Sequence, residues 1–190
     1  MKNISHLTLL LLLTAACSEM TMSPSSAVQN SNNYFASTYE PMESQPTLFQ
    51  SANIYDGLGG EFFGYDLLIA DGKIIEIGQS LNQSGVKVID ASNKWITPGI
   101  IDIHSHMGVY SAPSVSTSSD GNEATAPVTA EVWAEHSVWT QDPQFALALK
   151  GGVTSFHVLP GSANLFGGRG ATFKNISKNT IQAMKFPNAP

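Results

Sequence analysis

Two histidines separated by a single residue, His104 and His106, are the side chains of this sequence best suited to chemistry. Side chains alternate between the two faces of a β-strand, so a strand through this segment would direct both imidazoles to one side. Neutral imidazole nitrogens bind divalent ions such as zinc, and a bound ion acidifies water into a nucleophile. The pattern therefore predicts a metal site. The alternative is a chance pairing on a half-exposed strand, because so short a motif has a high false-positive rate.

The residues before the pair predict how it is positioned. Ile100, Ile101 and Ile103 form an apolar run, from which we expect a buried strand with the histidines at its C-terminal end. Asp102 is expected on the face of the histidines, where its carboxylate could support a metal-bound imidazole from behind. The open alternative for Asp102 is a strand carboxylate satisfied by backbone donors.

Two further side chains are candidates for substrate binding. A strand predicted at residues 153–159 carries His157, either facing the mouth of the site or hydrogen-bonded within the core. Arg169 lies in a glycine-dense loop at residues 161–170, which we interpret as flexible. Its guanidinium could clamp a substrate carboxylate in bidentate fashion, or could hold the loop through backbone carbonyls.

Turn and alternation signals predict a compact β module ahead of the histidines. Strand-like runs at residues 62–69 and 73–77 flank Asp71-Gly72, a strong two-residue hairpin signal. A further short strand is predicted at residues 86–90.

Helix signals follow the histidines. The pattern at residues 129–139 predicts a helix capped by Thr129, with His136 packed against its apolar face rather than bound to metal. Asp142 and Pro143 predict the start of a second helix, and Gly151 its left-handed end. Its apolar surface comes from Phe145, Leu147 and Leu149, and a last helical stretch is predicted at residues 180–186, packing through Ile181 and Met184.

The histidine segment resembles the amidohydrolase superfamily, a group of metal-dependent hydrolases. The matching residues are Thr97-Pro98-Gly99-Ile100-Ile101-Asp102-Ile103-His104-Ser105-His106. Residues 53–57 and 151–155 are also similar to motifs of that family, and residues 159–170 are similar to a secreted, imidazolonepropionase-related branch. The resemblance implies an α/β fold in which a small β-sandwich module precedes a (β/α)8 TIM-type barrel. It also implies that His104 and His106 are metal ligands on the first barrel strand, holding one or two divalent ions, with zinc the first candidate.

The same resemblance implies hydrolysis of a carbon–nitrogen bond in a small-molecule, cyclic or peptide-like amide by a metal-activated water. A barrel of this kind needs about 250 residues, so the barrel is expected to be incomplete in a chain of 190. We therefore interpret the chain as an N-terminal fragment that is inactive by itself. Two alternatives stay open: a non-catalytic envelope lipoprotein or binding module, and a deaminase on the same barrel.

The N-terminus predicts export. Lys2, an apolar core at residues 7–13 and the small residues before Cys17 form a lipoprotein-type signal over residues 1–17. Cys17, the only cysteine, is the candidate lipidation site, with secretion or a free thiol as alternatives. We therefore expect an exported protein of the bacterial cell envelope, anchored to the outer membrane through lipid.

Composition completes the predicted organisation. Residues 18–46 are polar and predict a flexible tether, residues 47–97 the β-sandwich module and residues 98–190 the first part of the barrel. Nine basic residues face fifteen acidic ones, for a net charge of −6, and no basic cluster occurs. This balance argues against a nucleic-acid partner, and nothing in the sequence predicts an oligomeric state.

Overall fold

A computed structural model of the protein describes residues 35–189. The predicted signal sequence, the candidate lipidation site Cys17 and the tether up to residue 34 lie outside the described residues. Within the described part, no helix combines the length and apolar character needed to cross a bilayer.

A five-stranded sheet occupies the region before the histidines. Its strands are β1 (Thr47–Tyr55), β2 (Glu61–Ala70), β3 (Lys73–Gly78), β4 (Lys87–Asp90) and β5 (Trp95–Ile96). The strand order is β3-β2-β1-β4, with β5 also paired to β1. β2 runs antiparallel to β1 and β3, whereas β4 and β5 run parallel to β1. The three strands predicted in this region are confirmed.

The hairpin between β2 and β3 turns where the sequence predicts. Asp71 and Gly72 have φ angles of 51° and 70°, so both occupy the left-handed region that a two-residue hairpin of this type requires. Alternation along the strands then buries one face of the sheet. The buried members of this core are Ala52, Ile54, Leu67 and Ala91.

A second, three-stranded sheet carries the histidines. Its strands are β6 (Ile100–Ser105), β7 (Val153–Val158) and β8 (Ala171–Lys174), in the order β6-β7-β8. β6 and β7 are parallel, and helix α1 (Gln144–Lys150) lies in the connection between them. β8 pairs antiparallel with β7 and was not predicted from the sequence. The described chain is therefore a mixed α/β structure.

Aromatic side chains form the core beside β7. Phe156 and Val158 lie on one face of the strand and are fully buried. Phe156 stacks on Phe145 of α1 with ring centroids 5.2 Å apart. Burial of large aromatic side chains is a main source of folding free energy, so this contact attaches the helix to the sheet.

The predicted burial of the isoleucine run in β6 is wrong for the described residues. Ile100, Ile101 and Ile103 are 53%, 64% and 77% exposed. The physical reason is that, within residues 35–189, β6 pairs only with β7 and its other edge has no neighbour. An apolar strand is buried only where other elements cover both of its faces.

The helix predicted at residues 129–139 is also wrong. The segment is extended and turned, with a single 3-10 turn at Ala134–Ser137. Its backbone pairs with the glycine-dense loop. The N–H of Arg169 donates to the carbonyl of Val132, and the N–H of Ala134 donates to the carbonyl of Arg169. Thr129 does not cap a helix but donates its hydroxyl to the carbonyl of Phe166. Tertiary pairing has overridden a local helical pattern here.

The loop at residues 161–170, predicted to be flexible from its glycines, is held by backbone hydrogen bonds. Its backbone is bonded to the 127–134 segment at Leu165, Phe166 and Arg169. The loop therefore has a defined path between β7 and β8.

The other two predicted helical segments begin or end at slightly different residues in the structure. α1 begins after Pro143, and the carboxylate of Asp142 accepts from the N–H of Gln144 at 2.9 Å, as a cap would. Gly151 keeps a right-handed φ of −80°, and the left-handed residue is Gly152, at 93°. The stretch predicted at residues 180–186 contains one 3-10 turn, Ile181–Ala183, and both Ile181 and Met184 are buried.

The last part of the predicted tether packs against the second sheet's core. Phe35 and Tyr39 contact that core, and the Ser37 hydroxyl donates to the carbonyl of Lys185 at 2.5 Å. The N–H of Thr38 donates to the carbonyl of Gln182 at 2.9 Å. The two aromatic side chains in an otherwise polar segment account for this docking.

Candidate metal centre

His104 and His106 lie together at the C-terminal end of β6. Their ring centroids are 5.3 Å apart and the ring planes are nearly perpendicular, at 83°. Ser105 between them is buried and pairs with Val158 in the core. The short distance between their rings shows that the two imidazoles lie on the same side of the chain.

A hydrogen bond defines the tautomer of His106. Its Nδ1 atom lies 2.9 Å from the carbonyl oxygen of Leu159. A carbonyl oxygen can only accept, so Nδ1 carries the hydrogen and donates it. In the neutral ring Nε2 then keeps a free lone pair. Metal-bound histidines in proteins use this arrangement, with one nitrogen donating to a carbonyl or carboxylate and the other bound to the ion.

The parallel pairing of β6 and β7 supplies that carbonyl. The N–H of Leu159 donates to the carbonyl of Ser105 at 3.0 Å, which brings the ends of the two strands to the same edge. Leu159 then presents its own carbonyl to the ring of His106. This partner is a backbone atom, so no side-chain motif could have revealed it. The only available signal was that the two predicted strands are parallel neighbours that end together.

Asp102 is engaged by the backbone next to it. Its Oδ1 atom accepts from the N–H of His104 at 3.1 Å. The sequence left two roles open for Asp102, which were support of a metal-bound imidazole and a strand carboxylate satisfied by backbone donors. The contact with the N–H of His104 is of the second kind. The carboxylate still bears on the site, because it holds the backbone at His104.

His157 lies on β7 and is half-buried. Its Nδ1 atom is 2.9 Å from the hydroxyl oxygen of Thr172 on β8. Burial lowers the pKa of His157 from its ordinary value, since the charged imidazolium loses hydration. Gly170 lies against the other ring nitrogen so closely that a methyl group there would overlap it.

Arg169 and His136 lie apart from the pair. The guanidinium of Arg169 sits over the ring of Trp133 at 4.9 Å from its centroid, a cation–π contact on an exposed side chain. His136 is exposed and makes an edge-on contact with Phe35, with 4.1 Å between ring centroids. Neither side chain is brought into a group with His104 or His106.

The described residues bring two candidate ligands together and no complete ligand set. Within residues 35–189 no three His, Cys, Asp or Glu side chains converge as a metal-binding group. A cavity of about 310 Å³ lies between the segments that follow β6 and β7, lined in part by Asn122, Trp133 and Pro160, and neither histidine of the pair lines it. The chemistry of the site therefore rests on the pair itself.

Comparison with known proteins agrees with the motif. An amidohydrolase from Thermotoga maritima MSB8 shares the fold with a TM-score of 0.69 and 35% sequence identity, over 75% of this chain and 37% of that one. The amidohydrolase tasK of Hapsidospora irregularis is 32% identical over 149 residues, which is 69% of this chain and 15% of the relative. The chain belongs to the amidohydrolase superfamily.

The chain matches only a small part of the length of these relatives. A dihydroorotase from Pelotomaculum thermopropionicum is 38% identical over 60 residues. The match covers 32% of this chain and 14% of the dihydroorotase. The chain thus spans about one seventh of the length of these two curated relatives. No protein-family model matches it.

Two contacts made by the histidine segment and the turn after it were not predicted from the sequence. Tyr110 makes an edge-on contact with the ring of His106, with centroids 5.6 Å apart. Asp142, assigned from sequence to a helix cap, also accepts from the N–H of Gly108 at 3.0 Å. The position of Tyr110, four residues after His106 in a turn, was the only sequence signal for the first contact.

Proposed function

We propose that this chain supplies the first two metal ligands, His104 and His106, of a hydrolase that cleaves a carbon–nitrogen bond. The observation that carries the proposal is the hydrogen bond from Nδ1 of His106 to the carbonyl of Leu159. It leaves Nε2 available to an ion, beside a second imidazole whose ring centroid is 5.3 Å away. Membership of the amidohydrolase superfamily supports the same role for the pair.

The donor set fits a divalent ion as a partial site. Imidazole nitrogens are suitable ligands for zinc, and catalytic zinc has about three protein ligands, one more than the pair provides. When bound, such an ion supplies a Lewis acid and an acidified water. The residues of this chain hold the ligands: Leu159 fixes the tautomer of His106, and Asp102 fixes the backbone at His104. We propose that the 190-residue chain does not turn over substrate by itself.

The proposed substrate is a small cyclic or peptide-like amide. This class is supported by relatives that are hydrolases of cyclic amides, including the dihydroorotase. Imidazolonepropionate is one member of the class, suggested by the resemblance of residues 159–170. The acidic balance of the chain does not favour a nucleic-acid substrate.

We propose the (β/α)8 barrel as the architecture to which β6, α1 and β7 belong. A parallel strand–helix–strand unit with the candidate ligands at the C-terminal strand ends is the arrangement that such a barrel repeats. The sheet of β1 to β5 would then be the accompanying β module, and residues 98–190 the first part of the barrel. The antiparallel β8 is a local addition beside β7.

We propose export and lipid anchoring at Cys17. The support is the sequence pattern of residues 1–17, with its apolar core and small residues before the cysteine. Labelling with a radioactive fatty acid in a bacterial host tests it. Label on the wild-type protein that is absent from Cys17→Ala is expected, and equal labelling of both would refute it.

A hydrolysis assay tests the proposed activity. The whole protein of which we propose this chain to be the first part is incubated with dihydroorotate and with a hydantoin, before and after treatment with a chelator. We expect ring opening of at least one cyclic amide, loss of activity on chelation and recovery with zinc. Activity that survives chelation and the His104→Ala change would refute the proposal and favour a non-catalytic or metal-independent role for the pair.

A further inference from the structure

Tyr110 is held in place by three separate parts of the chain. Its backbone N–H donates to the carbonyl of His106 at 3.0 Å, which closes a turn directly after the histidine pair. Its carbonyl accepts from the side-chain amide of Gln144 at 2.7 Å, at the start of α1. Its hydroxyl oxygen accepts from the side-chain amide of Asn122 at 2.5 Å. Both ends of this residue are therefore fixed.

Two glycines form the slot in which the phenol lies. Gly121 and Gly161 pass so close to the Tyr110 ring that a methyl group on either would overlap its Cζ or hydroxyl atoms. The N–H of Gly161 donates to the carbonyl of Gly121 at 2.6 Å, so the two walls are joined to each other. Asn122 also accepts from the N–H of Ala163 at 3.0 Å. The slot thus joins the segment after β6 to the loop after β7.

The edge of this fixed ring meets His106. The two ring centroids are 5.6 Å apart with planes at 74°, the edge-to-face geometry that aromatic rings prefer. The hydrogen bond from His106 to Leu159 fixes one corner of the imidazole but leaves the ring free to tilt about that contact. The contact with the ring of Tyr110 restricts that tilt.

We propose that Tyr110 is a positioning residue for the metal ligand His106. Together with the carbonyl of Leu159 it sets the plane of the imidazole and thereby the direction of the Nε2 lone pair. The inference rests on the proposed function only in taking His106 as a ligand. The contacts that position the ring exist in the metal-free chain.

The test compares side-chain replacements of Tyr110 in the full chain. Tyr110→Leu removes the ring contact, whereas Tyr110→Phe keeps the ring and loses only the hydroxyl. Asn122→Ala removes the hydrogen bond to the phenol by changing an exposed residue. Tyr39→Leu is the matched control, because Tyr39 also packs at the edge of the same core but is not among the residues that contact His106.

Two readouts separate positioning from general stability. The first is the mobility of the His106 ring in the metal-free chain, read from the relaxation of its imidazole ¹⁵N resonances. The second is the affinity for zinc alone, titrated on the same resonances. We expect Tyr110→Leu to increase the mobility of the His106 ring and to weaken zinc binding about tenfold, the scale at which partners that orient a ligand act. Tyr110→Phe and Asn122→Ala both keep the aromatic ring and remove the hydrogen bond at the hydroxyl, so both should shift in the direction of Tyr110→Leu by a similar, smaller amount.

The outcomes also separate this inference from the proposed function. Unchanged mobility of the His106 ring in both Asn122→Ala and any folded Tyr110→Leu would overturn the positioning role, as would an equal change in Tyr39→Leu. If Tyr110→Leu does not fold, Asn122→Ala and Tyr110→Phe decide. If the wild-type chain binds no zinc at His104 and His106, the metal proposal fails while the comparison of ring mobility still decides the role of Tyr110.

Discussion

The carboxylate of Asp142 accepts a hydrogen bond from the backbone N–H of Gly108, 34 residues earlier in the chain, at 3.0 Å in a buried position. The same side chain accepts from the N–H of Gln144 at 2.9 Å and from the N–H of Ala112 at 3.3 Å. One carboxylate therefore joins the first turn of α1 to the segment that leaves His106. The Asp142 carboxylate therefore both caps α1 and holds the backbone that follows His106.

Replacement of Asp142 is expected to destabilise the protein strongly. Asp142→Ala leaves several backbone donors without their acceptor in a buried position, and hydrogen bonds to a charged group contribute more than neutral ones. We expect the free energy of unfolding to fall by about 3 kcal/mol, measured by urea denaturation. The control is Asp120→Ala, which changes an exposed carboxylate and should cost little. Equal effects of the two changes would contradict this role of Asp142.

A buried ion pair gives a second prediction. Nζ of Lys185 lies 2.5 Å from the carboxylate of Glu135, and the two side chains are only 11% and 4% exposed. Removing one partner leaves a charge in a poorly hydrated place, which costs about 3 to 5 kcal/mol. Glu135→Gln should therefore lower the free energy of unfolding by about that amount, measured by denaturation in urea.

The double change to apolar residues supplies the check on that reasoning. Glu135→Leu combined with Lys185→Met removes both charges, so it should cost less than Glu135→Gln alone. Glu131→Gln, at an exposed site, should be nearly neutral. A double variant less stable than the single one would show that the pair is net stabilising and the desolvation argument is wrong.

The pKa of His157 predicts a specific pH dependence of stability. Burial lowers this pKa in the folded state, while the unfolded chain keeps the ordinary value near 6.5. Below about pH 6.5 the unfolded state therefore binds more protons, so stability falls as the pH is lowered toward the folded-state pKa. His157→Gln should remove this part of the slope. His136→Gln, at an exposed histidine, serves as the control, and an unchanged slope in His157→Gln would contradict the prediction.

Predictions from the sequence were correct where residues close together in the chain specify the feature. Asp71 and Gly72 demand positive φ angles, and the hairpin turns there. The strand predicted at residues 153–159 forms as β7, Val153–Val158. Each of these signals lies within a few residues of the feature that it specifies.

Predictions failed where distant segments decide the structure. The 129–139 pattern looks helical, yet its backbone pairs with Arg169, some 35 residues further on. The glycines around Gly161 were interpreted as flexible because their contacts with Tyr110 are invisible in a local pattern. The partner of His106 is the carbonyl of Leu159, 53 residues away, and a backbone carbonyl has no sequence signature.

Zinc stoichiometry decides whether His104 and His106 bind a metal ion. The protein from its natural reading frame is dialysed against buffered zinc and analysed for bound metal, as wild type and as His104→Ala, His106→Ala and His136→Ala. We expect stoichiometric zinc in the wild type and in His136→Ala, and its loss in His104→Ala and in His106→Ala. Zinc retained in both His104→Ala and His106→Ala, or lost equally in His136→Ala, would show that the pair does not bind the ion.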